Sequence, residues 1–173
     1  MAWFCRLRAI IVGVALVFAI GAMDGLSNAA PPAQLRFLTG QLLVAKPGMA
    51  DPRFHRTVIF MVKHDDSGAF GLIVNKKLGP LPFAELLTTM QADPDGVKGS
   101  VTVHFGSPVE PRRGFILHTA DYTKSPLFTV NALYSISFDA EIVRAMASGR
   151  GPARRILAIG YAGWGTGQLE REF

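Results

Sequence analysis

The run Thr57-Val58-Ile59-Phe60-Met61-Val62-Lys63-His64-Asp65-Asp66-Ser67-Gly68-Ala69-Phe70-Gly71-Leu72-Ile73-Val74-Asn75 carries two blocks of β-branched and aromatic residues, Thr57 to Lys63 and Phe70 to Asn75. Between them lies Asp65-Asp66-Ser67-Gly68. Side chains of the first kind suit a pleated, half-buried surface, and an Asp/Ser/Gly cluster reverses a chain, so the run predicts a β-hairpin. Such a pair is antiparallel, because so short a connection cannot return the chain for a parallel crossover.

The same pattern extends on both sides. Gln41 to Ala45 is an expected strand, stopped by Pro47-Gly48. In Leu81 to Met90 the apolar residues Phe83, Leu86, Leu87 and Met90 fall on one helical face, with Pro82 suited to the first turn. Asp93-Pro94-Asp95-Gly96 is a turn, and Val101 to Phe105 alternates with the period of a half-buried strand. Phe115 to Thr119 and Phe128 to Ile136 are further expected strands. A second helix is expected from Asp139 to about Ser148, with Ser137 or Asp139 as N-cap and Gly149 as its stop. Arg155 to Ile159 is a last strand leading into Gly160-Tyr161-Ala162-Gly163-Trp164-Gly165-Thr166-Gly167, read as a tight glycine turn. Strands follow one another more than they alternate with helices, which predicts an α+β fold on a largely antiparallel sheet.

The chain has 173 residues, 49% hydrophobic and 18% charged, with a net charge of +5 and one Cys. One domain is the natural outcome at this length, a chain this apolar can bury a core, and one Cys makes no internal disulfide. The first 29 residues differ from the rest. Arg6 and Arg8 precede an uncharged run from Ala9 to Met23, followed by Ser27-Asn28-Ala29. These are the three regions of a secretory signal peptide, and the run is shorter than the ~20 apolar residues of a membrane anchor. The expectation is residues 1–29 as leader, 30–37 as linker and 38–173 as the domain, with a periplasmic or secreted mature protein and no stable membrane span. Initiation at Met23 is the alternative and would leave the protein cytoplasmic. Cleavage would remove Cys5 and leave 16 basic against 12 acidic residues, a mild excess.

No chemistry assembles itself from spacing. The glycine run is neither G-x-G-x-x-G nor a P-loop. His55, His64, His104 and His118 lack metal-ligand spacing, so no metal site is expected; His64 is placed at a solvated hairpin mouth, and His104 and His118 could meet across the sheet. Ser107 lies in Phe105-Gly106-Ser107-Pro108, which is not a nucleophile elbow. Arg112, Arg113, Arg150, Arg154 and Arg155 concentrate charge late in the chain, yet no helix-turn-helix or aromatic-interleaved basic stripe accompanies them, and direct nucleic-acid binding is not expected.

Longer blocks resemble a known family. Leu38-Thr39-Gly40-Gln41-Leu42-Leu43-Val44-Ala45, Pro47-Gly48-Met49, Asp51-Pro52-Arg53-Phe54, Gly71-Leu72-Ile73-Val74-Asn75-Lys76, Arg113-Gly114-Phe115-Ile116-Leu117-His118 and Gly160-Tyr161-Ala162-Gly163-Trp164-Gly165 with Gly167-Gln168-Leu169-Glu170 are similar, in this order, to the YqgE/AlgH family, also catalogued as UPF0301. The resemblance implies a branched sheet partly closing into a small barrel flanked by helices, with no catalytic residue and no cofactor. Members carry a label as transcriptional regulators. Two features depart from the family pattern: the leader, and a chain that stops at Phe173, where the domain reads as missing its C-terminal end.

These observations lead to a non-enzymatic, exported binding or scaffold protein with a protein or small-molecule partner. Its expected contact face comprises Pro47, Gly48, Asp51, Arg53, Asn75, His118, Gly160, Tyr161, Gly163, Trp164 and Gln168. A cytosolic regulator acting indirectly, and a small-molecule hydrolase using His118 or Asp51 as acid or base, are the alternatives.

Overall fold

The computed structural model describes residues 7–9, 37–124 and 126–172. The expected leader and linker, apart from residues 7–9 and 37, therefore lie outside the described residues. Among those described, ten strands form one branched sheet: β1 (Leu7–Ala9), β2 (Leu42–Ala45), β3 (Val58–Asp65), β4 (Gly68–Ile73), β5 (Lys77–Pro82), β6 (Ser100–Phe105), β7 (Val109–Thr119), β8 (Phe128–Thr129), β9 (Tyr134–Ser137) and β10 (Arg155–Gly165). Two helices, α1 (Phe83–Thr89) and α2 (Ala140–Ala147), and a closing 3-10 turn, Leu169–Glu172, complete the fold.

The hairpin forms as expected, with Asp65 opposite Gly68 and Ile59 opposite Ile73. The main path of the sheet runs β1-β2-β3-β4-β10-β7-β9-β8, and β5 and β6 branch off it. β10 makes the branch. Its first half, Leu157 to Ile159, lies between parallel β6 and antiparallel β7; its second half, Ala162 to Gly165, pairs with β4. The exchange of neighbours happens at Gly160, where a bulge separates Ile159 from Tyr161 and φ is +76°. There β6 ends as Gly106 donates to the Ile159 carbonyl (2.8 Å), and β4 arrives as Ile73 donates to the Gly106 carbonyl (2.9 Å). A Cβ on Gly160 would stand 2.1 Å from the Ser107 carbonyl oxygen, and one on Gly106 would stand 2.1 Å from that of Gly160. Two backbones can cross this closely only where both residues lack side chains.

Three expectations change here. The segment from Gly160 to Gly165 is strand, and only Thr166-Gly167 turn. Phe128 to Ile136 is a two-strand hairpin, because Asn131 accepts the amides of Leu133 and Tyr134 on its side-chain oxygen (2.8 and 3.0 Å) and folds the middle. β5 was hidden by its prolines: Pro80 and Pro82 cannot donate to a ladder, and they are tolerated because β5 pairs with β6 alone, at an edge.

The helices are those expected, slightly shorter. Pro82 precedes α1 with no side-chain cap, while Asp139 caps α2 by accepting the Ile142 amide at 2.8 Å. Their buried faces, Phe83, Leu86 and Leu87 on α1 and Ile142, Val143 and Met146 on α2, pack with Val101, Val103, Ile116 and Leu157 over one side of β6, β10 and β7. On the other side the curled sheet encloses Phe60, Val62, Leu72, Phe115, Leu117, Val130, Ile136 and Ala158. Phe60 of β3 meets Tyr134 of β9 edge to face at 5.3 Å, which draws the two arms of the half-barrel together. A third cluster, Leu43, Ile59, Met61, Ile73, Ala162, Trp164 and Leu169 among its members, lies under the C-terminal turn. Each such side chain withdrawn from water contributes roughly 1.5–3 kcal/mol against the entropy of folding.

Candidate functional site

The loop from Lys46 to Thr57 enters β3 fully fastened. Asp51 accepts the Arg53 amide on Oδ1 (2.9 Å) and holds the Arg53 guanidinium through Nε (3.0 Å) and Nη2 (2.7 Å). The Arg53 side chain holds the Asp51 carboxyl below its ordinary range. The Asp51 carbonyl accepts the amides of Phe54 (3.0 Å) and His55 (2.9 Å), winding one tight turn. From beyond β4, Lys76 donates its ammonium to the carbonyls of Pro52 (3.1 Å) and Arg53 (2.9 Å). Asn75 closes the other side: its Oδ1 accepts the Val58 amide (2.9 Å) and its Nδ2 donates to the Arg56 carbonyl (2.8 Å). Phe54 packs at the edge of the core beneath, and Pro47, Gly48, Pro52, Arg53, His55 and Arg56 remain exposed. The result is an exposed, positively charged loop held by side chains that are themselves fixed.

The other end of β4 is held differently. His64 is buried, not solvated at the hairpin mouth as expected, because the chain before β2 and the C-terminal turn both cover it. Its Nδ1 accepts the Leu38 amide (3.1 Å), so the ring proton sits on Nε2, which donates to Glu170 Oε1 (3.0 Å). The Glu170 carboxyl lies below its ordinary range, through its own amide first and His64 after it. Trp164 is buried and donates its indole N–H to Glu172 Oε2 (3.0 Å). Gln168 joins the two partners by donating to Glu172 Oε1 (3.1 Å) and accepting the Gly165 amide (3.0 Å). The C-terminal turn is thus latched onto the hairpin.

The remaining expected face residues fall elsewhere. Gly160 is buried at the branch. Gly163 is exposed on β10, and Tyr161 points to the sheet face opposite Trp164, where it stacks on Phe70 (4.9 Å) and donates to Glu110 (3.1 Å). His118 is buried on β7, with Nε2 at 3.0 Å from Ser137 Oγ and Nδ1 at 2.8 Å from the Thr119 carbonyl. β10 stands between β6 and β7, so His104 and His118 do not meet. The eleven residues therefore do not form one face: Pro47, Gly48, Asp51, Arg53 and Asn75 gather at one end of β4, Trp164 and Gln168 at the other, and His118 lies apart. Missing from the expected set was Lys76, the second fastening of the loop, whose signal was its place directly after Asn75.

Among the described residues the buried Ser107 hydroxyl has no hydrogen-bond partner, and no three His, Cys, Asp or Glu side chains come together in a way that could hold a metal ion. Among those residues, too, no helix is long and apolar enough to cross a membrane.

Residues 42–173 match the family model described as AlgH-like. The chain is 44% identical over 136 residues to a UPF0301 protein of Rhodospirillum rubrum, covering 79% of this chain and 71% of that protein. It is 45% identical over 139 residues to a UPF0301 protein of Novosphingobium aromaticivorans, covering 80% and 74%. Among solved structures, the solution structure of the AlgH protein from Pseudomonas aeruginosa superposes with a TM-score of 0.65 at 35% identity, covering 83% of this chain and 76% of that one. A crystal structure of a Corynebacterium diphtheriae protein shares the fold at 20% identity, with a TM-score of 0.57 over 78% of this chain and 70% of that one.

Proposed function

Since this chain belongs to the AlgH-like family, we propose that it is a non-enzymatic binding or scaffold protein, exported after loss of its leader, which meets its partner through the loop from Pro47 to Arg56. The fastening of that loop by Asp51, Asn75 and Lys76 carries the reading. A surface segment whose backbone is already fixed loses little conformational freedom on association, so its exposed groups are available for affinity. Arg53, His55 and Arg56 give it the chemistry to meet an acidic protein surface. The apolar filling of the half-barrel agrees with a scaffold, since it leaves the interior to packing.

Two measurements test the reading. Protein recovered from fractionated cells should begin at Ala30 and sit outside the cytoplasm; a cytoplasmic chain starting at Met23 removes the export half. Capture of a defined partner by the wild-type chain should be lost in an Arg53→Ser, Arg56→Ser variant of unchanged melting temperature, and equal capture by both proteins removes the loop.

A further inference from the structure

A groove lies between the chain that follows β7 and the outer face of α2. It has a volume of about 300 Å³, at the small end of ligand sites, and is lined by Tyr122, Lys124, Glu141, Arg144, Ala145 and Arg150. Three cations face one carboxylate. Lys124 and Glu141 pair at 2.9 Å, which leaves the charge of Arg144 and Arg150 without a carboxylate partner in the groove. Arg144 uses one N–H on the Asp93 carbonyl (2.8 Å), and Arg150 uses Nε on Ser148 Oγ (3.2 Å); both acceptors are neutral, and each guanidinium keeps further donors.

The second observation is independent of charge. Tyr122 is only 8% exposed, and its hydroxyl, shielded from solvent, has no hydrogen-bond partner among the described residues. Native proteins leave few buried hydroxyls unpaired, because an unpaired one forfeits its hydration. His118 stacks edge to face on the Tyr122 ring at 5.8 Å and fixes it in place without serving the hydroxyl. The ring so held forms a fixed wall of the groove that it shares with two guanidinium groups in excess of the lining carboxylate, and guanidinium groups suit an oxyanion.

We propose that this groove is a binding site for a phosphate dianion, free or as the head of a phosphomonoester, held by Arg144 and Arg150 against the wall that the buried Tyr122 ring provides. The excess of two positive charges favours a dianion over a monocarboxylate, and guanidinium groups match phosphate geometry through paired N–H donors. Glu141 limits the site by competing for Lys124, so its neutralisation tightens binding.

Titration of the whole chain with inorganic phosphate, glycerol phosphate and acetate at matched ionic strength, followed by amide chemical shifts, tests this. Phosphate should move the amides of Lys124 and Ala145 saturably, and acetate should not. Arg144→Ala with Arg150→Ala should weaken binding about tenfold or more, and Tyr122→Phe, which leaves both guanidinium groups and the ring in place, should leave it unchanged. Glu141→Gln should strengthen it. Tighter binding of glycerol phosphate would identify the ligand as the ester, equal binding the free ion. Shifts that fail to saturate, equal shifts with acetate, or phosphate affinity unchanged in the double arginine variant overturn the site.

Discussion

The two ends of β4 use similar numbers of polar contacts toward different ends. At the Asn75 end, the Asp51–Arg53 pair is exposed, with 57% of the arginine side chain in contact with solvent, and its bonds hold a loop against local motion. At the Gly68 end, Trp164, Glu172 and His64 are buried, and their bonds hold a C-terminal turn against the body of the sheet. Burial separates the two. An exposed ion pair is worth about 0–1 kcal/mol, while a buried donor deprived of its acceptor costs about 1–3 kcal/mol. One segment is marked by Pro47, Gly48 and Pro52 and the other by its glycines with Tyr161 and Trp164, so a dense motif by itself does not distinguish a surface built to meet a partner from one built to close a core.

The contrast is most severely tested at Trp164. Trp164→Ala removes a buried aromatic and strands Glu172, and should lower the free energy of unfolding in urea by about 3–5 kcal/mol. A loss below about 1 kcal/mol would make the latch as dispensable as a surface pair. At the other end, Asn75→Ala should cost about 1 kcal/mol or slightly more, because it frees the Val58 amide and the Arg56 carbonyl near solvent. Its larger effect should be faster hydrogen exchange confined to residues 47–57; faster exchange throughout the sheet would show that the clamp supports the core as well.

The smallest effect concerns pH. Asp51 and Glu170 both titrate below their ordinary values when folded, Asp51 chiefly through Arg53 and Glu170 through its own amide and then His64. A depressed carboxyl contributes stability that is complete above its unfolded value and lost as pH falls through the folded one. Stability should therefore be level above about pH 5 and decline as pH drops below about 4. The decline should be shallower in Glu170→Gln and in Asp51→Asn. A profile flat to pH 3 in the wild type would remove both contributions.

Much of the architecture was readable one segment at a time. The hairpin follows from its β-branched blocks and Asp/Ser/Gly turn, and α2 from its apolar spacing, its Asp139 cap and its Gly149 stop. β5 was not, because Pro80 and Pro82 are allowed in a strand only at an edge, and a strand's position in the sheet is not a local property. His64 misled for the same reason: its polar side chain beside a turn suggests solvent, and what buries it is Leu38 and a carboxylate 106 positions away. The loop was legible as a candidate through Pro47, Gly48, Asp51 and Arg53 of the expected face, but its fastening by Asn75 and Lys76 spans 17 to 24 positions and has no local pattern.

The amino-acid sequence alone set both helices and most of the strands, where most turns fall, and the family, because propensity, capping and residue order act over short distances. Tertiary structure alone decided that β10 changes partners at Gly160, that the expected face divides into an exposed clamp and a buried latch, and that Tyr122 shares a groove with Arg144 and Arg150. Those are matters of which backbones approach closely and which side chains lose water, and both depend on contacts between residues far apart in the chain.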